Sequence, residues 1–434
     1  MDDPIFLTEY PRAIVHFDGD AFFAAIEQSV HPELKGRPVV TGKERGIIAC
    51  ASYEAKAIGI KRGVSLWDAR RQCPELIVLP SDYETYSIFS RRMFEIVRRY
   101  TPQVEEYSID EGFAELTGLR RLFHCSYEDM ARRIQEEIRS ALDITVSIGL
   151  SCSKSLAKLA SKYRKPHGLT AVPGKKIPEF LQSQGLAAVW GFGPNTVALL
   201  SHHGLKTPWD FVQHPENWAS RMLGKVGREL WNELRGVPVF PILTEARTTQ
   251  ASISKCKTFT APSLDSDYIY AKLVRNAESA FIKLRRYRLR ARRIAISLRR
   301  RDYEQRGLET RLSRGTSSVQ EALPLVRVMF DALYEFQTLY RATQIVLFDL
   351  EPDGSDQLEL FEDRLKIDRL RALSRVTDTV NARYGKHKIG SGHALFLSQT
   401  HRTGRDEEPI RKSDLLPGET ARRRLGIPIL DIVV

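Results

Sequence analysis

The sequence predicts an α+β protein of several domains, and three observations carry that prediction. Apolar runs of strand type alternate with segments of helical spacing through residues 12–172, as one sheet with helices packed on it requires. From about 173 the character changes to short helices punctuated by glycine, and over 251–352 it changes again to strands interleaved with two long helices. A length of 434 residues with 42% hydrophobic content suffices for about three cores.

The elements follow in order. A buried-type strand over 12–18 leads into a helix over 20–30, which His31-Pro32 closes, because proline forces the residue before it out of the helical region. Short strands near 38–41 and 47–51, with Ser52-Tyr-Glu-Ala-Lys-Ala-Ile-Gly59, form a small α/β insertion that reaches about 80. Gly59 and Gly63 suit tight turns within it. A helix over 82–100 stops at Thr101-Pro102, and a strand over 104–109 follows. Residues 127–142 show helical spacing, 144–150 are a β-branched strand, and a helix over 153–163 is closed by Lys165-Pro-His-Gly168. Gly191-Phe-Gly-Pro194, followed by Gly204-Leu205, has the form of a helix-hairpin-helix, in which the amides around Gly191 and Gly193 approach a phosphate. A second instance lies at Leu223-Gly-Lys-Val-Gly227. A linker over 241–250 leads to a strand (252–259), a helix (267–286), two strands (292–299 and 309–314), a helix (319–339) and a strand (344–350). A tail occupies 353–434, and within it Leu365, Leu370, Leu373, Val376 and Val380 recur at helical spacing.

The composition narrows the class. No window approaches the ~18 apolar residues of a membrane span, and the start Met-Asp-Asp-Pro-Ile has no signal-peptide form, so a cytoplasmic or nucleoid location is expected. Five cysteines form neither a C-x-x-C pair nor a Cys/His ligand spacing, which predicts no disulfide framework and no zinc. A net charge of +12 favours polyanionic partners. The charge is concentrated over 283–301, which contains no acid. There Ile294, Ile296 and Leu298 alternate with Arg293, Ala295, Ser297 and Arg299, so one strand face is apolar and the other polar to basic, suited to a phosphate backbone.

Two acidic clusters end apolar runs: Asp18 and Asp20 in Phe17-Asp-Gly-Asp-Ala-Phe-Phe23, and Asp110-Glu111 in Tyr107-Ser-Ile-Asp-Glu111. Neighbouring strands could bring these carboxylates together. Like charges at about 4 Å cost roughly 4 kcal/mol at intermediate dielectric, so divalent cations with oxygen ligands, Mg²⁺ above all, are the expected occupants. Asp20, on the turn from strand to helix, is expected to cap the helix that follows rather than to bind metal.

The order of these two motifs, then Ser52-Tyr-Glu-Ala-Lys56 between them, Ser153-Lys-Ser-Leu-Ala-Lys-Leu-Ala160 with Lys165-Pro-His-Gly168, and a helix-hairpin-helix, resembles the Y-family translesion DNA polymerases of the bacterial DNA polymerase IV type. The resemblance covers roughly residues 12–352. It implies a right hand: palm at 1–25 and 81–172, fingers at 26–80, thumb at 173–240 and a little finger at 251–352. The implied reaction is addition of deoxynucleotides to a primer 3′ end, on primer-template DNA, with two Mg²⁺ ions held by Asp18, Asp110, Glu111 and the Gly19 carbonyl. Tyr53, Lys56 and Lys165 match the positions that hold the incoming triphosphate. Phe23 matches the steric gate against a ribose 2′-hydroxyl, with Phe22 read partly as core and Cys50 beside the nucleotide. The sequence departs from the family at Lys56, where arginine is usual, and at Cys50, where a hydroxyl residue is usual, which puts the strength of nucleotide binding in doubt.

Gln357-Leu-Glu-Leu-Phe361 resembles the pentapeptide that docks on the bacterial sliding clamp, with Gln357 as the polar contact and Leu358, Leu360 and Phe361 as its apolar side chains. Asn381-Ala-Arg-Tyr-Gly-Lys386 resembles the tail of the polymerase V catalytic subunit. A monomeric core is expected. A noncatalytic polymerase-like adaptor recruited to the clamp is the alternative, and retention of three carboxylates argues against it. A nucleotide cyclase on a similar palm fails on the thumb, the little finger and the clamp peptide.

Overall fold

The computed structural model describes residues 9–245, 250–354, 363–384, 387–395 and 397. These fall into two compact units, 9–245 and 250–397. No helix among the described residues is long and apolar enough to cross a membrane.

The first unit runs through β1 (Ile14–Gly19), α1 (Phe22–Val30), β2 (Val39–Thr41), β3 (Cys50–Ala51), α2 (Tyr53–Ala57), α3 (Leu66–Gln72), β4 (Ile77–Leu79) and α4 (Tyr83–Arg98). It continues through β5 (Val104–Glu106), β6 (Glu111–Glu115), α5 (Arg120–Phe123), α6 (Tyr127–Leu142), β7 (Val146–Ser151), α7 (Lys154–Tyr163) and β8 (Leu169–Val172). Five strands form one sheet in the order β5-β6-β1-β7-β8, antiparallel except between β7 and β8. Side chains of β1 alternate between its faces. Val15 and Phe17 enter a core with Tyr86 and Phe94 of α4 and Ile134 and Ile138 of α6. Ile14 packs instead with Phe113 and with Ala157 of α7, and His16 and Asp18 share that face by periodicity. A Cβ at Gly149 would lie 2.0 Å from the Ala157 carbonyl oxygen and 2.3 Å from the Ser161 nitrogen, so only glycine lets α7 settle this close to the sheet.

One predicted element changes form. The strand expected over 104–109 is the first arm of a hairpin: β5 ends at Glu106, the chain turns, and β6 begins at Glu111. Ser108 makes the turn, its N–H donating to the Glu111 carbonyl and its hydroxyl donating to Asp110. The acidic pair therefore opens the second strand rather than ending the first.

A small three-stranded sheet, β3-β2-β4, covers Val40, Ile48, Ala55, Ile60 and Ala69. The helices α8 (Ile177–Gln182), α9 (Pro194–His202), α10 (Pro208–Gln213) and α11 (Glu216–Leu234) enclose Leu181, Leu200, Phe211 and Leu234. Gly191, at φ 96°, turns the chain into α9 in a conformation that favours glycine, and Gly224, at φ 66°, breaks α11 where the second hairpin was expected. Buried acids fasten this helical segment and the chain after it to α7 and the sheet. Glu233 accepts the N–H groups of Ser155, Val239 and Phe240, and Glu105 pairs with Lys154 at 2.6 Å while accepting the Leu243 N–H.

The second unit contains β9 (Ile253–Ser263), α12 (Ser266–Arg286), β10 (Leu289–Arg300), β11 (Gln305–Thr316), α13 (Val319–Leu333), β12 (Tyr340–Pro352) and α14 (Arg364–Tyr384). Its sheet has the antiparallel order β11-β10-β12-β9. The alternation read in β10 holds: Ile294, Ile296 and Leu298 are buried against Ile269, Phe281 and Phe330. α13 ends six residues short of the expected 339, because the Tyr340 hydroxyl takes the Glu335 N–H and donates to the Leu333 carbonyl, closing the helix there.

Most of the apolar residues noted in α14 lie off its packed face, with only Leu370 and Val380 half-buried. Ile367, Ser374 and Asn381 are buried, whereas Leu365, Leu373 and Val376 are exposed. Two polar contacts set this rotation: a bidentate Arg285–Asp378 pair, and the Asn381 amide, which hydrogen-bonds both the N–H and the carbonyl of Ile389.

Candidate active site

The antiparallel register sets Asp18 of β1 opposite Glu111 of β6, and the Gly19 N–H donates to the Asp110 carbonyl at 2.7 Å. The backbone thus brings three acidic residues to one corner of the five-stranded sheet. Each is already engaged. Lys165 Nζ donates to Asp18 Oδ1 at 2.6 Å, and Lys158 of α7 donates to both oxygens of Glu111 at 2.8 Å. His16 Nε2 lies 3.2 Å from Glu111 Oε2, while its Nδ1 meets the Ser161 hydroxyl at 2.7 Å. The Lys158 ammonium also sits 4.3 Å from the Tyr107 ring centroid, a cation–π contact.

The environments separate the titrations of these groups. Burial raises the Asp110 carboxyl, and the negative charges of Asp18 and Glu111 add to that rise while the Ser108 hydrogen bond opposes it. Burial also pushes Glu111 upward, but His16 and Lys158 outweigh it and bring the carboxyl down to about 2. Burial lowers His16, so its imidazole is held neutral.

The expectation that only divalent cations could neutralise this cluster is modified by the two lysines. Among the described residues no three His, Cys, Asp or Glu side chains converge as a ready-made ligand group. The donors available are oxygens alone, three carboxylates and the Gly19 carbonyl, and the carboxyl of Asp110 is destabilised as an anion chiefly by burial, with Asp18 and Glu111 adding to it. That set fits a hard divalent cation.

Asp20 is not a helix cap. Ala21, at φ 47°, precedes α1 in the left-handed region, and no side chain caps that helix. The left-handed turn leaves the Asp20 carboxylate on the sheet, where it accepts the Ser147 hydroxyl at 2.8 Å, the His167 N–H at 2.8 Å and the Tyr53 hydroxyl at 3.4 Å. It is 2% exposed. Asp20 therefore fastens the loop that carries Lys165 to β7 and α2.

Tyr53 and Lys56 occupy one face of α2, with the Lys56 ammonium 4.1 Å from the Tyr53 ring centroid. Burial raises the Tyr53 hydroxyl, as does Asp20. Burial likewise raises the Cys50 thiol, against the Ala24 and Phe23 amides that face it. Phe23 is half-buried, stacked on Tyr86 at 4.5 Å and set edge-on to Tyr83, whereas Phe22 is buried in the core. Asp18, Asp20, Tyr53 and Lys165 thus form one connected network.

Of the remaining expected residues, Gly191 and Gly193 stand at the start of α9. In the second unit Arg293 is bound by Asp349 and Glu309, and Arg299 by Gln305, so acids from flanking strands balance charge that the acid-free run of β10 presents in isolation. Gln357, Leu358, Leu360 and Phe361 lie outside the described residues. Lys158, His16, Ser108 and Ser161 carried no assigned role in the sequence reading. For Lys158 a signal existed: Lys154, Lys158 and Lys162 recur every four residues along α7.

Residues 17–162 match the model of the impB/mucB/samB family, and 250–360 match that family's C-terminal domain. The chain is 33% identical over 384 residues to DNA polymerase IV of Opitutus terrae, covering 88% of this chain and 97% of that one. The chain is a Y-family DNA polymerase of the DNA polymerase IV type. As a member of that family it is a DNA-directed DNA polymerase that acts in translesion synthesis. The polymerase is also 30% identical to DNA polymerase IV of Streptococcus pneumoniae serotype 4, over 75% of this chain and 94% of the relative. Its fold is similar to a solved Y-family chimera of Dbh and Dpo4, with a TM-score of 0.68 at 23% identity, covering 78% of this chain and 99% of the other.

Proposed function

We propose that the polymerase extends a primer 3′ end by phosphoryl transfer at the corner formed by Asp18, Asp110 and Glu111. The observation that carries this reading is the Asp18–Glu111 register pair with Asp110 hydrogen-bonded across to Gly19. In this reading the five-stranded sheet is the palm (1–25 and 81–172), the small sheet the fingers (26–80), the α8–α11 segment the thumb (173–240) and the second unit through 352 the little finger.

Asp18, Asp110, Glu111 and the Gly19 carbonyl would hold two Mg²⁺ ions. When bound, these supply charge neutralisation for the triphosphate and acidify the primer hydroxyl. Since phosphoryl transfer asks the protein mainly for positioning and charge stabilisation, the work of the side chains is orientation. Lys165, anchored through the Asp20-bound loop, and Lys56 with Tyr53 would receive the triphosphate. Phe23, stiffened by Tyr86 and Tyr83, would exclude a 2′-hydroxyl. Primer-template DNA would be gripped by the amides near Gly191 and Gly193 and by the open face of the second unit's sheet at Arg293 and Arg299. Gln357, Leu358, Leu360 and Phe361 would recruit the sliding clamp, and the site of action would be the cytoplasm or nucleoid.

The test is primer extension with Mg²⁺ on undamaged and lesion-bearing templates, with and without clamp. Asp110→Ala should abolish extension while primer-template binding persists; extension by this variant at the normal rate would remove the metal assignment. Leu360→Ala with Phe361→Ala should remove clamp stimulation.

A further inference from the structure

Trp67 is the most exposed aromatic side chain among the described residues of the first unit, at 67%. It lies on α3, and its indole is covered on one side by the Arg71 guanidinium, 4.7 Å from the ring centroid. Residues three and four apart share a helix face, so Arg70 stands beside this pair, exposed as well. Lys61 and Arg62, in the turn leading to α3, are also exposed. None of Lys61, Arg62, Arg70 and Arg71 has a carboxylate partner among the described residues. The one acid on the exposed part of α3, Asp68, is turned to the Ser65 hydroxyl at the helix start. Exposed Ile58 adjoins the same helix, since the Gln72 amide donates to the Ile58 carbonyl at 2.6 Å.

Leaving an indole in water forgoes burial, and four exposed cations around the same short helix stand without a carboxylate partner among the described residues. Both deficits end if an anionic ligand with flat, apolar faces docks there. We infer that Trp67, Arg70, Arg71 and the Lys61-Arg62 turn form a binding site for single-stranded DNA, taking the unpaired template strand. One free face of the indole accepts one base, and the surrounding cations accept phosphates. Duplex DNA does not suit this site, because its bases are stacked on each other and present no face. A mononucleotide does not need it, because Tyr53 and Lys56 lie on a different helix.

The position fits a strand on its way to the reaction centre. Ile47 and Ser65 form a backbone bridge, and the Leu66 N–H donates to the Gly46 carbonyl, so the start of α3 is tied to the segment that runs into β3 and Cys50. The inference rests on the chain being a template-directed polymerase. It adds to that reading a site contributed by a side chain outside the carboxylate and nucleotide networks.

The experiment compares the full chain with its Trp67→Ala and Trp67→Phe variants. Each is titrated with a labelled blunt primer-template, with the same duplex bearing a single-stranded template overhang, and with an overhang of abasic residues. Wild type should bind the natural overhang more tightly than the blunt duplex. Trp67→Ala should lose about tenfold of that gain, Trp67→Phe should keep most of it, and blunt-duplex affinity should not move. The abasic overhang should bind wild type as weakly as the natural overhang binds Trp67→Ala. An overhang gain that survives in Trp67→Ala, the result expected if this face serves a protein partner, overturns the inference. So does equal weakening on blunt and overhung DNA. Primer extension measured alongside separates the two ideas, since failure of extension in wild type would count against the polymerase reading and not against the Trp67 site alone.

Discussion

Lys158 holds both carboxylate oxygens of Glu111 at 2.8 Å, on the strand whose register sets Glu111 opposite Asp18. The contact crosses from α7 to the sheet edge and couples the helix to the candidate catalytic corner. It is also a nearly dry contact, the lysine side chain being 6% exposed.

A pH dependence follows from that pair. Glu111 titrates at about 2 in place of the ordinary 4.5, so its contribution to stability is complete above about 4.5 and is lost as pH falls through about 2. In Lys158→Met the carboxyl should move back up, and acid unfolding followed by circular dichroism should begin at higher pH. An unchanged acid midpoint would show that His16 alone holds the carboxyl down.

Asp20→Ala should act on nucleotide binding. The substitution frees the His167 N–H and the Ser147 hydroxyl together, so the Lys165 loop loses its side-chain tie to β7 and keeps the Ile148 N–H bond to the Gly168 carbonyl. We expect KM for the incoming nucleotide to rise by about tenfold, the scale of a lost charge-assisted hydrogen bond, with a smaller change in kcat. A fall in kcat at constant KM would point instead to a direct role in the chemistry.

Phe23→Ala opens the stack on Tyr86 and, in the proposed gate role, would leave room for a ribose 2′-hydroxyl. Discrimination against ribonucleotides should drop on the order of 10–100-fold, the range that a shape change in a binding pocket commands. Competition between deoxy- and ribonucleotides in primer extension reads this directly, and unchanged selection would remove the gate assignment.

Lys154→Met breaks a buried pair. Lys154 and Glu105 are 4% and 8% exposed and 2.6 Å apart, so the orphaned carboxylate should cost about 3 kcal/mol. Urea denaturation should show a lower midpoint, and Glu105→Leu added to Lys154→Met should recover part of the loss. The recovery cannot be complete, because the Leu243 N–H also relies on Glu105.

Periodicity made most elements legible. The helix over 127–142 and the apolar face of β10 follow from side-chain spacing, because burial on one side imposes that spacing on the residues themselves. The hairpin at 107–110 was misread as one strand, since the turn is built by the Ser108 side chain and backbone rather than by a glycine or proline. The tail helix follows from apolar spacing, but the face that it buries does not. Its rotation is set by the Asn381–Ile389 contact just beyond the helix and by the Arg285–Asp378 pair, which joins residues far apart in the chain.

By itself the sequence determined the family, the order of elements and the three carboxylates of the candidate site, because each is written in the type and local spacing of residues. Only the tertiary structure decided what faces those carboxylates. It assigned Lys158 to Glu111 and Lys165 to Asp18, turned Asp20 from its helix to β7, and balanced Arg293 with acids of neighbouring strands. Charge pairing is a matter of distance in space, and the partners here are between 16 and 147 residues apart in the chain.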